Sequence, residues 1–123
     1  MKILIVDDEP HLRMLIQQTL EDLEDEGVEL LTATNGEEAL ETIRAEEPNL
    51  VFLDVMMPKK NGFDVCDAVK KQLGLTKVHI ILLTAKGQEF DRQRGQEVGA
   101  DLYMTKPFDP DALLAKAREV LGL

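Results

Sequence analysis

Leu50-Val51-Phe52-Leu53-Asp54-Val55-Met56-Met57-Pro58 decides how the rest of the chain is read. Four apolar residues run unbroken into one carboxylate, and a proline closes the stretch. A short, wholly apolar run suits a strand buried on both faces, as in a parallel sheet. An aspartate ending such a strand lies at the carboxyl edge of the sheet, where open parallel sheets bind ligands. Taken alone, Asp54 would be read as the start of a turn. Three other strand ends carry polar groups in the same way, and that repetition turns the reading towards a site.

Upstream, Lys2-Ile3-Leu4-Ile5-Val6 has the same character and stops at Asp7-Asp8-Glu9. Pro10 suits the first turn of a helix, where its missing N–H costs nothing. Leu12, Leu15, Ile16, Thr19, Leu20 and Leu23 then recur at spacings of three and four, which predicts a helix ended by Gly27. Val28 to Ala33 reads as a second strand. Asn35-Gly36 turns into a helix with Ala39, Leu40 and Ile43 on one face, closed by Glu46-Glu47-Pro48-Asn49.

Downstream, Pro58-Lys59-Lys60-Asn61-Gly62 is a polar loop in which Gly62 offers a positive φ. Val65, Val69 and Leu73 mark a helix ending at Gly74. Val78 to Leu83 is a fourth strand, stopping at Thr84, and a polar helix from about Glu89 to Val98 ends at Gly99. Asp101 to Met104 is a short fifth strand before Thr105-Lys106-Pro107. The last helix runs from about Pro110 to Leu121, with Leu113, Leu114, Ala117, Val120 and Leu121 apolar.

Five strands alternating with five helices predict an α/β fold, with right-handed crossovers and a parallel sheet covered on both faces. All five strands then end on one edge, so Asp7, Asp8, Asp54, Thr84 and Lys106 converge there. One domain over residues 1–123 is expected from the length. The charge is unevenly placed: residues 1–57 carry −12 and the remainder +2, for a net −10. An acidic chain of this kind is not expected to bind nucleic acid directly, which normally needs a basic face. The acidic run from Glu21 to Glu29 reads as a solvated helix end. No apolar run approaches the roughly 20 residues of a membrane span, and the cytoplasm is the expected compartment. A single cysteine, Cys66, leaves no internal disulfide framework, and with only His11 and His79 besides, zinc ligation is not expected.

Three carboxylates crowded together repel one another and raise at least one pKa unless a cation joins them. A hard divalent ion held by carboxylate oxygens, a carbonyl and waters fits Mg²⁺. Lys106 adds a fixed positive charge and Thr84 a hydroxyl. Metal, ammonium and hydroxyl around one carboxylate suit phosphoryl transfer to that carboxylate, because each stabilises charge developing on the transferred oxygens.

The ordered set Asp7-Asp8, Asp54, Thr84-Ala85 and Lys106-Pro107, with Tyr103 three residues before the lysine, resembles the receiver domain of two-component response regulators, the CheY-like family. The resemblance covers essentially the whole chain. It implies a doubly wound, flavodoxin-like sheet in the order 2-1-3-4-5. It implies Asp54 as phosphoacceptor, with Thr84 and Lys106 as its catalytic partners. Mg²⁺ would be held by Asp7, Asp8, Asp54 and the backbone carbonyl of Met56. A cis Lys106-Pro107 bond is implied, as is a coupled movement of Thr84 and Tyr103 on phosphorylation. The implied activity is a signalling switch, catalysing only its own phosphorylation and autodephosphorylation. Its implied partners are a sensor histidine kinase or histidine phosphotransfer protein and a downstream effector.

The segment from Ala85-Lys86-Gly87 to Phe108 is similar to the OmpR/PhoB-type branch, which pairs through helix 4, strand 5 and helix 5. Arg92, Glu97, Asp101, Lys116 and Arg118 fit that branch and a weak or phosphorylation-induced homodimer, whereas Leu102 and Ala112 replace its usual acidic partners. Met56 is apolar where some relatives place a polar residue able to orient water, so slow autodephosphorylation is expected, and Lys86 also borders the site. His11, Met14 and Gln18 are expected on the outer face of the first helix, read first as ordinary exposed residues and, as the alternative, as a docking patch for a kinase. Cys66 is expected to pack or to sit half-exposed, and His79 to be structural. Two other readings compete. A phosphate-independent pseudo-receiver would lack one of the acids, the threonine or the lysine, and none is missing. A Mg²⁺-dependent phosphatase would carry Asp-x-Asp after the first strand, whereas Asp7 and Asp8 are adjacent.

Overall fold

The computed structural model describes residues 1–57, 59–85 and 89–123, with the side chains of residue 85 and residues 89–92 left aside. Five strands, β1 (Lys2–Val6), β2 (Glu29–Ala33), β3 (Leu50–Asp54), β4 (His79–Ala85) and β5 (Leu102–Lys106), form one parallel sheet in the order 2-1-3-4-5. Five helices connect or follow them: α1 (Pro10–Leu20), α2 (Gly36–Glu46), α3 (Gly62–Asp67), α4 (Glu89–Glu97) and α5 (Pro110–Leu121). The architecture is the doubly wound, flavodoxin-like one expected.

Strand alternation explains why the interiors of the central strands are apolar on both faces. Ile3, Ile5, Leu50, Phe52, Ile81 and Leu83 point to one side, where Ile16 and Leu20 of α1 and Leu113 and Ala117 of α5 cover them. Leu4, Val6, Val51, Leu53, Ile80 and Leu82 point to the other, against Ala39 and Ile43 of α2 and Phe63, Val65 and Cys66 of α3. Neither face of β3 meets water, so a polar residue is tolerated only where the strand leaves the sheet, at Asp54.

Several boundaries differ from the expectation for physical reasons. β4 and β5 run to Ala85 and Lys106, so Thr84 and Lys106 stand inside the strand ends. α1 stops at Leu20 and continues as a 3₁₀ helix over Glu21–Glu26, a tighter winding that keeps Leu23 buried. α3 passes into a π-helical turn over Ala68–Gln72. That wider turn shifts the helical phase, so Val69 stays buried while Leu73 is exposed. The loop after β3 takes its positive φ at Lys59 (68°) and not at Gly62. Gly62 is needed for another reason: a Cβ there would lie 2.5 Å from the Asp54 carbonyl oxygen. Among the described residues, no helix is long and apolar enough to cross a membrane.

Candidate functional site at the carboxyl edge of the sheet

The strand order reverses at β1 and β3, and the crevice above that reversal is where open α/β sheets bind ligands. Asp7 follows β1, Asp54 ends β3, Thr84 stands near the end of β4 and Lys106 ends β5. Asp7, Asp54 and Thr84 are the buried polar residues of the molecule, at 0%, 4% and 1% exposure among the described residues. The Lys106 ammonium reaches back across β4 to lie 3.1 Å from Asp54 Oδ1 and 3.2 Å from Asp7 Oδ2. Asp8 is exposed at the rim, yet one carboxylate oxygen from each of Asp7, Asp8 and Asp54 falls within 4.8 Å of the others.

Local hydrogen bonds fix this arrangement. Asp7 Oδ1 accepts the Glu9 N–H at 2.9 Å, and the Arg13 guanidinium donates to the Asp7 carbonyl at 2.8 Å. The acid pair is thereby tied to the first turns of α1, and Arg13 is a contributor that sequence spacing did not single out. Asp54 Oδ1 accepts the Met56 N–H at 3.2 Å, while the Met56 side chain is 66% exposed beside the site. The Lys106-Pro107 peptide is cis.

Burial first, then the neighbouring Asp7 charge, push the Asp54 carboxyl up to about 6, against the pull of Lys106. Burial alone would lower the Lys106 ammonium, but the Asp54 and Asp7 carboxylates outweigh it and the net shift is upward. One ammonium balances only one of three clustered carboxylates. The remaining negative charge, presented wholly by hard oxygen atoms, fits a hard divalent cation such as Mg²⁺.

Thr84 pairs in register with Thr105, and Leu82 with Tyr103. Paired residues of a parallel ladder point to the same face, so Thr84 and Tyr103 are diagonal neighbours on the side that packs against α2 and α3. That is the placement a coupled movement would need. His11, Met14 and Gln18 are exposed on α1, as expected. Cys66 is fully buried, and burial pushes its thiol up to about 12. Of the residues expected in a dimer face, Asp101, Lys116 and Arg118 are engaged within the chain. Asp101 Oδ2 binds the Lys70 ammonium at 2.7 Å and the Ile80 N–H at 2.8 Å, Arg118 pairs with Glu26 at 2.6 Å, and Lys116 pairs with Glu119 at 2.8 Å. Pro58 and Lys86, and the side chain of Arg92, lie outside the described residues.

The family model of the response regulator receiver domain matches residues 3–118. Over 120 residues the chain is 49% identical to the "Probable transcriptional regulator ycf27" of Pyropia yezoensis, covering 98% of this chain and 47% of that protein. It is 45% identical to the alkaline phosphatase synthesis transcriptional regulatory protein PhoP of Bacillus subtilis, covering 98% and 48%. The chain thus spans about half the length of the curated relatives it matches. The crystal structure of the Thermotoga maritima response regulator DrrB, an OmpR/PhoB homologue, superposes with a TM-score of 0.84 at 33% identity, over 98% of this chain and 52% of that one.

Proposed function

This chain belongs to the response regulator receiver domain family, and on that premise we propose that it accepts a phosphoryl group on Asp54 and switches conformation in response. The observation that carries the proposal is the Lys106 ammonium shared by Asp54 and Asp7 at a buried sheet edge, with Asp8 alongside. With its carboxyl near 6, Asp54 is largely ionised at neutral pH and is therefore nucleophilic. Lys106 and the Met56 N–H both hold Oδ1, which orients the carboxylate and leaves the attack to Oδ2. A bond forms from Oδ2 to phosphorus as the P–N bond of a donor phosphohistidine breaks, and the electron pair leaves on the imidazole, which takes up a proton.

Asp7, Asp8, Asp54 and the Met56 carbonyl would hold Mg²⁺, which when bound supplies positive charge opposite the phosphoryl oxygens. Lys106 places its ammonium against the same oxygens, and the Thr84 hydroxyl donates to one of them. Drawing Thr84 towards the phosphoryl group alters the space beside Tyr103, which is how the state of Asp54 reaches the outer face of β5. The same groups assist hydrolysis of the aspartyl phosphate, in which a water attacks phosphorus, the P–O bond to Asp54 breaks and inorganic phosphate leaves, so the signal is self-limiting.

The donor is a sensor histidine kinase or a histidine phosphotransfer protein, approached in the cytoplasm across the α1 face bearing His11, Met14 and Gln18. Because relatives of about twice this length are named as transcriptional regulators, the effector is an output segment acting on transcription, with nucleic acid contacted outside this acidic domain. Asp101, Lys116 and Arg118 have their charges paired within the chain, which favours a weak or phosphorylation-induced homodimer over a tight one. The test is intact mass after incubation with acetyl phosphate and Mg²⁺. One added phosphoryl group is expected on the wild type and none on Asp54→Ala or in EDTA. An adduct that survives the Asp54→Ala substitution would overturn the assignment.

A further inference from the structure

Gly36 opens α2, and its missing side chain is required by a contact with a distant loop. A Cβ built there would lie 1.9 Å from the Lys60 carbonyl oxygen, 2.6 Å from the Lys60 carbonyl carbon and 2.6 Å from the Lys60 Cβ. Two of these are main-chain atoms and the third is a Cβ fixed by the main chain, so no side-chain rotation relieves them. Lys60 sits in the loop joining Asp54 to α3, the loop that carries Met56.

That loop is gripped on its other side as well. The Val55 N–H donates to the Leu83 carbonyl and the Val55 carbonyl accepts the Gly62 N–H, both at 3.0 Å. The Gly62 Cα lies so close to β3 that a Cβ would meet the Asp54 carbonyl oxygen at 2.5 Å. Asn61 fixes the far end by capping α3, its side chain accepting the Asp64 N–H at 3.0 Å. The loop therefore lies between two glycines, Gly62 against the strand and Gly36 against the neighbouring helix.

α2 cannot yield at this contact. The Asn35 side chain caps it by accepting the Glu38 N–H at 2.9 Å, and Ala39 and Ile43 are fully buried against Leu4, Val6 and Leu53. Lys59 and Lys60 are exposed and half-buried, so the loop is the part able to move.

We propose that Gly36 is a positioning residue of the phosphoryl site, acting through the Lys60 carbonyl on the loop that sets Met56 against Asp54. The inference rests on the receiver reading of that site. An alanine would push Lys60 away by about 1 Å or more before an ordinary contact is reached. Displacements of that size in groups supporting a metal or reacting centre typically cost about 10-fold to 100-fold in affinity or rate.

The experiment is Mg²⁺ titration by calorimetry of wild type, Gly36→Ala and the double variant Gly36→Ala, Lys60→Gly, with intact mass followed after acetyl phosphate. Gly36→Ala is expected to weaken Mg²⁺ by about 10-fold and to slow phosphorylation, although every proposed ligand is intact. Lys60→Gly removes one clashing carbon and frees the peptide to turn, so the double variant is expected to recover most of the affinity. A merely structural role would lower stability without this loss and recovery. A folded Gly36→Ala protein with Mg²⁺ affinity within twofold of wild type would overturn the inference. Should Gly36→Ala not fold, Asn35→Ala, which loosens the same helix end, decides the matter: affinity weakened threefold or more supports the coupling, and unchanged affinity overturns it. A wild type that neither binds Mg²⁺ nor takes a phosphoryl group would instead refute the reading of the site.

Discussion

At Asp54, burial and the Asp7 charge favour the protonated acid while Lys106 favours the carboxylate, and burial prevails. The carboxyl ionises near 6 in the folded protein and near 3.8 in the unfolded chain. Between those values the folded state binds more protons, so stability falls as pH rises. The advantage is fully present below about pH 4 and gone above about pH 6. Metal-free wild type is therefore expected to lose, relative to Asp54→Asn, on the order of 2 kcal/mol between pH 4 and pH 7. Urea unfolding in EDTA at several pH values checks this, and parallel pH profiles for the two proteins would contradict it. At Met56, the exposed side chain leaves room for a polar substitute. Met56→Asn is expected to hasten loss of phosphate by about 10-fold or more by orienting water, against minutes or longer in the wild type. An unchanged decay of the phosphorylated mass would count against that role. Asp54, Thr84 and Lys106 were legible in the sequence because each stands at or next to the carboxyl end of a strand that begins with or runs through apolar residues. Gly36 was not, because its reason is a contact 24 residues away along the chain. Gly62 was misread, because a glycine in a polar loop suggests a positive φ that Lys59 in fact adopts.

Among the elements, the strands were the most legible, since burial on both faces leaves only apolar residues in the interiors of β1, β3 and β4, with polar ones confined to their ends. The helices were legible in their apolar faces but not in their winding. Leu23 and Leu73 both continue an apolar spacing of three or four, yet the chain leaves the α-helix before each of them. The 3₁₀ turn keeps Leu23 in the core, and the π-helical turn puts Leu73 out and brings Lys70 in to bind Asp101. Such departures depend on what packs opposite, which periodicity along one segment does not record. The start of α5 is set locally. Pro110 occupies its first turn and the Asp109 side chain caps it, accepting the Asp111 N–H at 3.0 Å. Asp109→Ala is expected to cost about 1 kcal/mol. A lower urea midpoint with an unchanged slope would show it, and a midpoint equal to wild type would show that the cap contributes nothing.

Over the whole molecule, a net charge of −10 gathers its excess in the first 57 residues, and three of those acids meet at one sheet edge. A cation that binds only the folded state adds its binding free energy to stability. Mg²⁺ is expected to raise the melting temperature of wild type by several degrees and that of Asp8→Asn by clearly less. Equal shifts would remove Asp8 from the metal site. Convergence of the strand ends followed from topology, since a parallel sheet places every carboxyl end on one edge, while the 4.8 Å closeness of three carboxylates required the folded chain. The central claim is that this edge and Tyr103 form one switch. Tyr103 is the only tyrosine and there is no tryptophan, so intrinsic emission reports that ring alone. The decisive measurement is tyrosine emission titrated with beryllofluoride in the presence of Mg²⁺, for wild type and Asp54→Asn. A saturable change in wild type, absent from Asp54→Asn and abolished by EDTA, is the predicted result. Emission that stays constant while beryllofluoride demonstrably binds would contradict the account, because the ring would then be indifferent to the state of Asp54.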